Sequence, residues 1–151
     1  MGKINYLLPI YSIATQENLS KIQKIIMSAA RAAIGNYCFR KSTQYILNKC
    51  KWFSIGDLLT YSSLSIIHKT ITTKKPPGML SYFNNVDRQR NNKIIATVHN
   101  PKSVKFNKFY IYKYINVYNK LDNTVKLKSI KGFKKEIKLY LRAGTISNTM
   151  D

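Results

Sequence analysis

The sequence predicts a mainly α-helical fold: a small helical bundle followed by a C-terminal helical extension, with at most one short strand or hairpin near residues 93–98. Apolar residues recur every three or four positions in several segments, which is the period of an amphipathic helix. Hydroxyl residues stand before most of these segments and glycines follow two of them, as at natural helix ends. With 151 residues, 44% of them hydrophobic, the chain is long and apolar enough to form a folded core.

The first helix is predicted over residues 15–34. Thr15 is the expected N-cap, Glu17 favours the positive helix N-terminus, and Gly35 is the expected stop. Its apolar stripe comprises Leu19, Ile22, Ile26, Ala29 and Ala33, widened by Ile25 and Ala30.

Two further helices are predicted in the first half of the chain. One covers residues 42–49, with Tyr45, Ile46 and Leu47 as its apolar residues, and Trp52 and Phe53 follow it as a buried plug. The next covers residues 54–71, because Ser54 and Asp57 have the spacing of a capping box. Residues 72–78 contain two prolines and a glycine, which predict a break.

The middle of the chain carries weaker signals. Residues 79–83 fit one short helical turn, and the polar residues 84–92 predict a loop. Residues 93–98 are apolar and partly β-branched, so we predict a strand or extended arm there. Residues 99–108 are basic and polar, which again predicts a loop.

Residues 110–121 fit two patterns. Tyr110, Tyr112 and Tyr114 alternate as in a strand, whereas Tyr110, Tyr114, Val117, Tyr118 and Leu121 mark one face of a helix. We predict an extended start that passes into helix near Lys113, and a connector over residues 122–128.

A final helix is predicted from the cap residue Ser129 to Gly144. Its apolar stripe consists of Ile130, Phe133, Ile137 and Leu141, and lysines occupy its other faces. Residues 145–151 are predicted to be a frayed tail.

The charge of the chain limits its function. Lys and Arg number 26 and Asp and Glu only 6, which gives a net charge of +20 and a pI near 10.1. This balance favours nucleic acid as the partner, with anionic membrane surfaces second. Lys, Asn, Ile and Tyr share A/T-rich codons, so genome composition is an alternative source of part of the charge. The charge is densest over residues 102–142, where twelve Lys or Arg accompany only Asp122 and Glu136.

We predict no cofactor and no metal. Cys38 and Cys50 form no CxxC pair, and His68 and His99 lie far from each other, so zinc-ligand spacing is missing. Both histidines are interpreted as ordinary helix or surface residues. The sequence contains no glycine-rich phosphate loop. No secretion signal and no apolar run of membrane-spanning length occurs, which predicts a cytoplasmic or nuclear protein that is not secreted.

Five segments share their order and spacing with a known family. Their residues are, in chain order, Leu19, Ile22, Gln23, Ala29, Arg31, Ile34 and Gly35; Cys50-Lys51-Trp52-Phe53-Ser54-Ile55 with Ile66-Ile67-His68-Lys69; residues 88–94; Tyr110, Tyr112, Val117, Tyr118, Asn119 and Leu121; and Ser129, Phe133, Lys134, Ile137 and Lys138. Together, over roughly residues 6–142, they resemble the thumb and C-terminal region of non-LTR (LINE, Jockey-like) retrotransposon reverse transcriptases. The chain departs from that pattern at Leu7 and Ser12, where the family has glycine, and at Asp122, where it has proline.

The resemblance implies a region that follows the catalytic palm. It implies a thumb-like helical region over residues 1–73, a linker or loop over 74–92, a basic C-terminal extension over 93–144 and a flexible tail over 145–151. The partners implied are RNA or an RNA/DNA duplex, bound without sequence preference, and the palm and fingers of a polymerase. The chain lacks Tyr-x-Asp-Asp and clustered carboxylates that would hold two metal ions, so we expect no RNA-directed DNA polymerase activity from it alone.

In such a role basic residues would contact phosphates, whereas the alternative is a solvated helix face. Tyrosines 110, 114 and 118 could stack bases or pack in a core, and the core is favoured. Nucleic-acid binding is the predicted function, and a protein-interaction module is the alternative. Binding of anionic membranes through the last helix is a third class, but we predict no membrane partner, because Phe133 and Ile137 fit a core better than a membrane surface. A domesticated basic nucleic-acid-binding protein is a variant of the first class. The candidate nucleic-acid-binding residues are Lys21, Lys24, Arg31, Arg40, Lys41, Lys74, Lys75, Arg88, Arg90, Lys105, Lys108, Lys113, Lys134, Lys135 and Lys138.

Overall fold

The computed structural model describes residues 8, 11, 14–35, 41–88, 94–98 and 110–144, without the side chains of residues 84–88 and 110. These ranges are mainly helical, which confirms the predicted fold class. In chain order the elements are α1 (Gln16–Ile34), α2 (Thr43–Cys50), α3 (Ile55–Thr73), α4 (Pro77–Leu80), β1 (Phe83–Arg88), β2 (Ile94–Val98), α5 (Tyr110–Lys120), α6 (Asn123–Lys126) and α7 (Ile130–Ala143).

Local capping sets the ends of the long helices as predicted. The Ser54 hydroxyl accepts from the Asp57 backbone N–H at 3.1 Å, while the Asp57 carboxylate accepts from the Ser54 N–H at 3.3 Å. This reciprocal pair satisfies two backbone donors that the first turn leaves open. Thr15, Ser42 and Ser129 each accept a hydrogen bond at the starts of α1, α2 and α7.

The core is centred on α3, which packs against α7, α5 and α1. The predicted stripe of α7 is buried there, with Phe133 and Ile137 fully inaccessible and Leu141 only 7% exposed. Leu64 and Ile67 of α3 meet them in the same apolar cluster. Helices from both sides of the predicted 74–92 boundary therefore share one core.

The predicted loop over residues 84–92 is wrong as far as Arg88. β1 pairs antiparallel with the predicted strand β2, with Val86 opposite Ala96 and Arg88 opposite Ile94. The partner strand supplies the backbone hydrogen bonds that hold this polar segment extended. Local composition gives no sign of such pairing.

The predicted extended start of residues 110–112 is also wrong, because α5 is helical from Tyr110. A helix places Ile111, Tyr114 and Tyr118 on one face, and all three are buried. The interpretation of Tyr114 and Tyr118 as core residues is confirmed. The predicted connector over residues 122–128 contains the short helix α6.

The outer face of α1 departs from its predicted stripe. Leu19, Ile26 and Ala30 are buried as expected, but Ala29 and Ala33 are exposed and Ile25 is 64% exposed. The apolar arc of α1 is wider than the surface that α2 and α3 cover. Likewise Tyr45 is 46% exposed on α2, and Trp52 and Phe53 are only half-buried.

Candidate nucleic-acid interface

One side of α7 carries an unbroken row of cations. Lys131, Lys134, Lys135, Lys138 and Arg142 are all exposed, and at 3.6 residues per turn they fall within an arc of about 100° beside the buried stripe. We call these five residues the basic flank. Glu136 lies on the opposite side of the helix and pairs with Lys128. Among the described residues, no carboxylate forms a salt bridge with the basic flank.

The basic flank borders two aromatic rings that stand on or beside α3. The Nζ of Lys138 lies 5.3 Å from the ring centroid of Tyr61, and the guanidinium carbon of Arg142 lies 5.6 Å from that of Phe53. Both rings are half-buried, and both cations are exposed. We call these four residues the cation–aromatic seam. Burial raises the pKa of the Tyr61 phenol, so this ring is neutral at physiological pH.

A buried polar cluster holds the start of α7 against α3, at the end of their contact that lies away from the cation–aromatic seam. The His68 Nε2 lies 3.1 Å from the Lys128 carbonyl oxygen, and its Nδ1 lies 3.2 Å from the Tyr118 hydroxyl. A carbonyl oxygen only accepts, so Nε2 carries the proton and the Tyr118 hydroxyl donates to Nδ1. His68 is 1% exposed. It lies in a helix, as one of the two predicted alternatives has it, but the alternative that it is a surface residue is wrong.

The burial of this cluster shifts two pKa values. It lowers the pKa of His68, which the hydrogen bond to the Lys128 carbonyl opposes only in part. Burial also raises the pKa of Tyr118. Both side chains are therefore neutral at physiological pH, and they join α3, α5 and the start of α7 without a buried charge.

Lys126 is a structural cation rather than part of the basic surface. It is 3% exposed, and its Nζ donates to the carbonyl oxygens of Asn119 at 2.8 Å and Ile94 at 3.1 Å. The ammonium group thereby binds the last turn of α5 and the start of β2. Its Nζ also lies 5.6 Å from the ring centroid of Tyr118. Of the twelve basic residues between positions 102 and 142, this one is removed from any role at the surface.

The structure brings only part of the predicted binding set together. Lys134, Lys135 and Lys138 lie in the basic flank. Lys74 and Lys75 are exposed just after α3, and Lys113 is half-buried with its Nζ 5.8 Å from the Tyr114 ring centroid.

The predicted residues of the first two helices are dispersed. Lys21 is paired with Glu17 at 2.8 Å, and Arg31 is half-buried with its Nε inaccessible and without a hydrogen-bond partner. Lys24 is exposed beside a surface pocket of about 300 Å³ between α1 and the start of α3. Lys41 is exposed, and its Nζ lies 5.7 Å from the ring centroid of Tyr45.

Several predicted positions lie outside the described residues: Arg40, Arg90, Lys105, Lys108 and the side chain of Arg88. Sequence reasoning missed Lys131 and Arg142, although their spacing of three, four and seven residues from the predicted lysines placed them on the same flank. Phe53 and Tyr61 were also missed, because their place beside cations depends on how α3 meets α7.

Within the described ranges, no group of three or more His, Cys, Asp and Glu residues is arranged to hold a metal ion. None of the helices in those ranges combines the length and the hydropathy needed to cross a membrane. No protein-family model, curated protein or solved structure matches this chain.

Proposed function

We propose that this chain is a non-catalytic module that binds the phosphate backbone of nucleic acid through the basic flank of α7. The observation that carries the proposal is the row of five exposed cations with no salt-bridge partner among the described carboxylates. Nucleic acid carries a condensed atmosphere of counterions, and cations that neutralise its phosphates release those ions, which favours binding. Lysines act here as point charges, so the binding is independent of sequence.

We further propose that the module corresponds to the post-palm region of a LINE-type reverse transcriptase. Support comes from the polar positions of the resemblance, because three of them make contacts between elements. The Gln23 side-chain oxygen accepts from the Ile55 N–H at 2.8 Å. The Asn119 amide binds both the N–H and the carbonyl of Ala96, at 3.1 and 2.9 Å. His68 joins the segments that carry Tyr118 and Phe133. These contacts link the segments of the resemblance that carry Gln23, His68, Tyr118 and Phe133 to one another.

In this proposal the chemistry of polymerisation belongs to a palm domain, and the compartment is cytoplasmic or nuclear. Primer extension with template, magnesium and nucleotides is expected to give no product with this chain alone. Extension above background would overturn the non-catalytic assignment.

The backbone-binding proposal is tested by salt titration with an RNA/DNA duplex. The test variant replaces Lys131, Lys134, Lys135 and Lys138 with Gln. If all four lysines contact phosphate, the negative slope of log K against log salt becomes less steep by about 3.6, since each neutralised phosphate contributes about −0.9. The measurement is fluorescence anisotropy of a labelled duplex between 50 and 300 mM salt.

A matched control removes the same charge elsewhere. It replaces Lys24, Lys41, Lys74 and Lys75, which are exposed on other elements. We expect this variant to keep most of the affinity and the slope. Equal losses in the two variants would mean that overall charge, and not the basic flank, determines binding.

A second candidate function, a protein-interaction module, is favoured by the outer face of α1. There Ile25 is 64% exposed, and Ala29 and Ala33, which follow it on the same face of the helix, are also exposed. The palm and fingers of a polymerase are the proposed partner. The chain alone would then associate or melt at low temperature, and Ile25→Ser would reduce association. A monomer with a cooperative melt at high temperature would argue against this function.

A further inference from the structure

The cation–aromatic seam has a chemistry that phosphate binding alone does not use. A duplex presents phosphates to a basic surface but keeps its bases stacked inside. Half-buried rings beside cations instead fit an unpaired base, which can stack on the ring while its phosphate meets the cation. Phe53 and Tyr61 are both half-buried, and both face a cation of the basic flank.

In the free protein each ring is covered by a weakly held cation. An exposed cation–π contact favours the state in which the cation lies over the ring by only about two- to fivefold. A base stacked on an aromatic side chain contributes about 5- to 150-fold to affinity. Exchange of the cation for a base is therefore favourable, and it releases Lys138 or Arg142 to bind the adjacent phosphate.

We propose that the seam formed by Phe53, Tyr61, Lys138 and Arg142 binds single-stranded nucleic acid, with bases stacked on the two rings; this rests on the proposed function of the basic flank. The two cations are four residues apart on α7, about 6 Å along its axis. They therefore serve neighbouring positions of one strand. The geometry points to single-stranded RNA or DNA without a preferred sequence, because any base offers a face for stacking.

The test compares a labelled twelve-nucleotide oligo(dT) with a twelve-base-pair duplex at the same salt concentration. The variant Phe53→Leu/Tyr61→Leu keeps apolar side chains and all basic residues but removes both rings. We expect at least a tenfold loss of affinity for the single strand and less than a twofold loss for the duplex. Tyr61→Phe keeps the ring and is expected to stay within twofold of the wild type for both ligands.

Tyr45 provides a matched control, since it is exposed and has Lys41 over its ring, but it stands on α2. Tyr45→Leu is expected to change neither affinity by more than twofold. The proposal would be overturned if Tyr45→Leu and Phe53→Leu/Tyr61→Leu lost equal affinity for the single strand, or if the double variant lost none. Wild-type protein that binds neither ligand would instead overturn the proposed function itself.

A measurement on the unmodified protein covers the case in which the double variant does not fold. Ultraviolet irradiation of the wild-type complex with oligo(dT) crosslinks bases to the side chains that they contact, and mass spectrometry locates the crosslinks. Crosslinks at Phe53 or Tyr61 are the expected result. Crosslinks confined to other residues would overturn the proposal.

Discussion

The imidazole of His68 stacks face to face on the ring of Phe133, with centroids 3.9 Å apart and planes 7° from parallel. His68 belongs to α3 and Phe133 to α7, so this stack joins the central helix to the helix that carries the basic flank. Both rings are buried, and both ring nitrogens of His68 have hydrogen-bond partners. The polar ring is therefore accommodated inside an apolar core.

Acidification is expected to destabilise the protein through His68. Burial lowers the pKa of this imidazole in the folded state below its ordinary 6.5. Between pH 6.5 and the lower pKa of the folded state, the unfolded chain therefore binds a proton that the folded protein does not bind. As the pH falls through this window the free energy of unfolding decreases, by at most about 1.4 kcal/mol per pH unit. Well above pH 6.5 the imidazole is neutral in both states, and the free energy of unfolding no longer depends on pH through His68. Urea unfolding at pH 7.5, 6.5 and 5.5 measures the effect.

The variant His68→Gln isolates this contribution. Gln does not titrate, so any pH dependence that remains comes from other groups. We expect the variant to be less stable than the wild type at pH 7.5 and to lose less stability on acidification. Parallel pH profiles for the two proteins would contradict the assignment.

Removal of the Tyr118 hydroxyl is expected to weaken the same cluster. Tyr118→Phe keeps the ring but leaves the buried Nδ1 of His68 without its donor, and an unsatisfied buried acceptor costs about 1–3 kcal/mol. The midpoint of urea unfolding should therefore fall. Tyr112→Phe, which changes a half-buried tyrosine on the same helix, is expected to have an effect within about 0.5 kcal/mol.

Lys126 is expected to be the lysine whose loss costs most stability among those that the structure describes on α6 and α7. Lys126→Met keeps a long, unbranched side chain but leaves the carbonyls of Asn119 and Ile94 without a charged donor. Each of the two bonds contributes about 1.5–3 kcal/mol. Because Met does not bury a charge, part of this loss is offset, and the free energy of unfolding should drop by about 2–4 kcal/mol. The exposed Lys131→Met should stay within about 0.5 kcal/mol. Similar losses in both variants would refute a structural role.

Lys51 should be replaceable by glycine with a gain in stability. It ends α2 with φ of 57°, in the left-handed region, which costs a residue with a side chain about 1 kcal/mol or more. Lys51→Gly removes this strain, and part of the gain is offset by the greater freedom of glycine in the unfolded chain. We expect a net gain of about 0.5–1 kcal/mol by thermal unfolding.

The reverse result is expected for the same substitution within a helix. Lys135→Gly, in the middle of α7, should cost about 1 kcal/mol, because glycine there has no compensating strain to relieve. A loss of stability in Lys51→Gly would show that the lysine side chain makes a contribution larger than the strain.

Local signals predicted the helices because their causes are local. The capping box of Ser54 and Asp57, the cap at Ser129 and the glycine at position 144 act within one helical turn, so four residues contain the information. The stripe of Phe133, Ile137 and Leu141 likewise fixed which face of α7 is buried. At Tyr110 two periodicities competed, and burial of Ile111 against the core decided for the helix.

The sequence by itself determined a mainly helical chain, its strong excess of positive charge and the face of α7 that is buried. Only the tertiary structure decided that β1 pairs with β2, that His68 and Lys126 are buried, and that Phe53 and Tyr61 stand beside Arg142 and Lys138. The reason is physical. Capping and periodicity are set by neighbours along the chain, whereas burial and ring–cation contacts depend on which distant elements pack together.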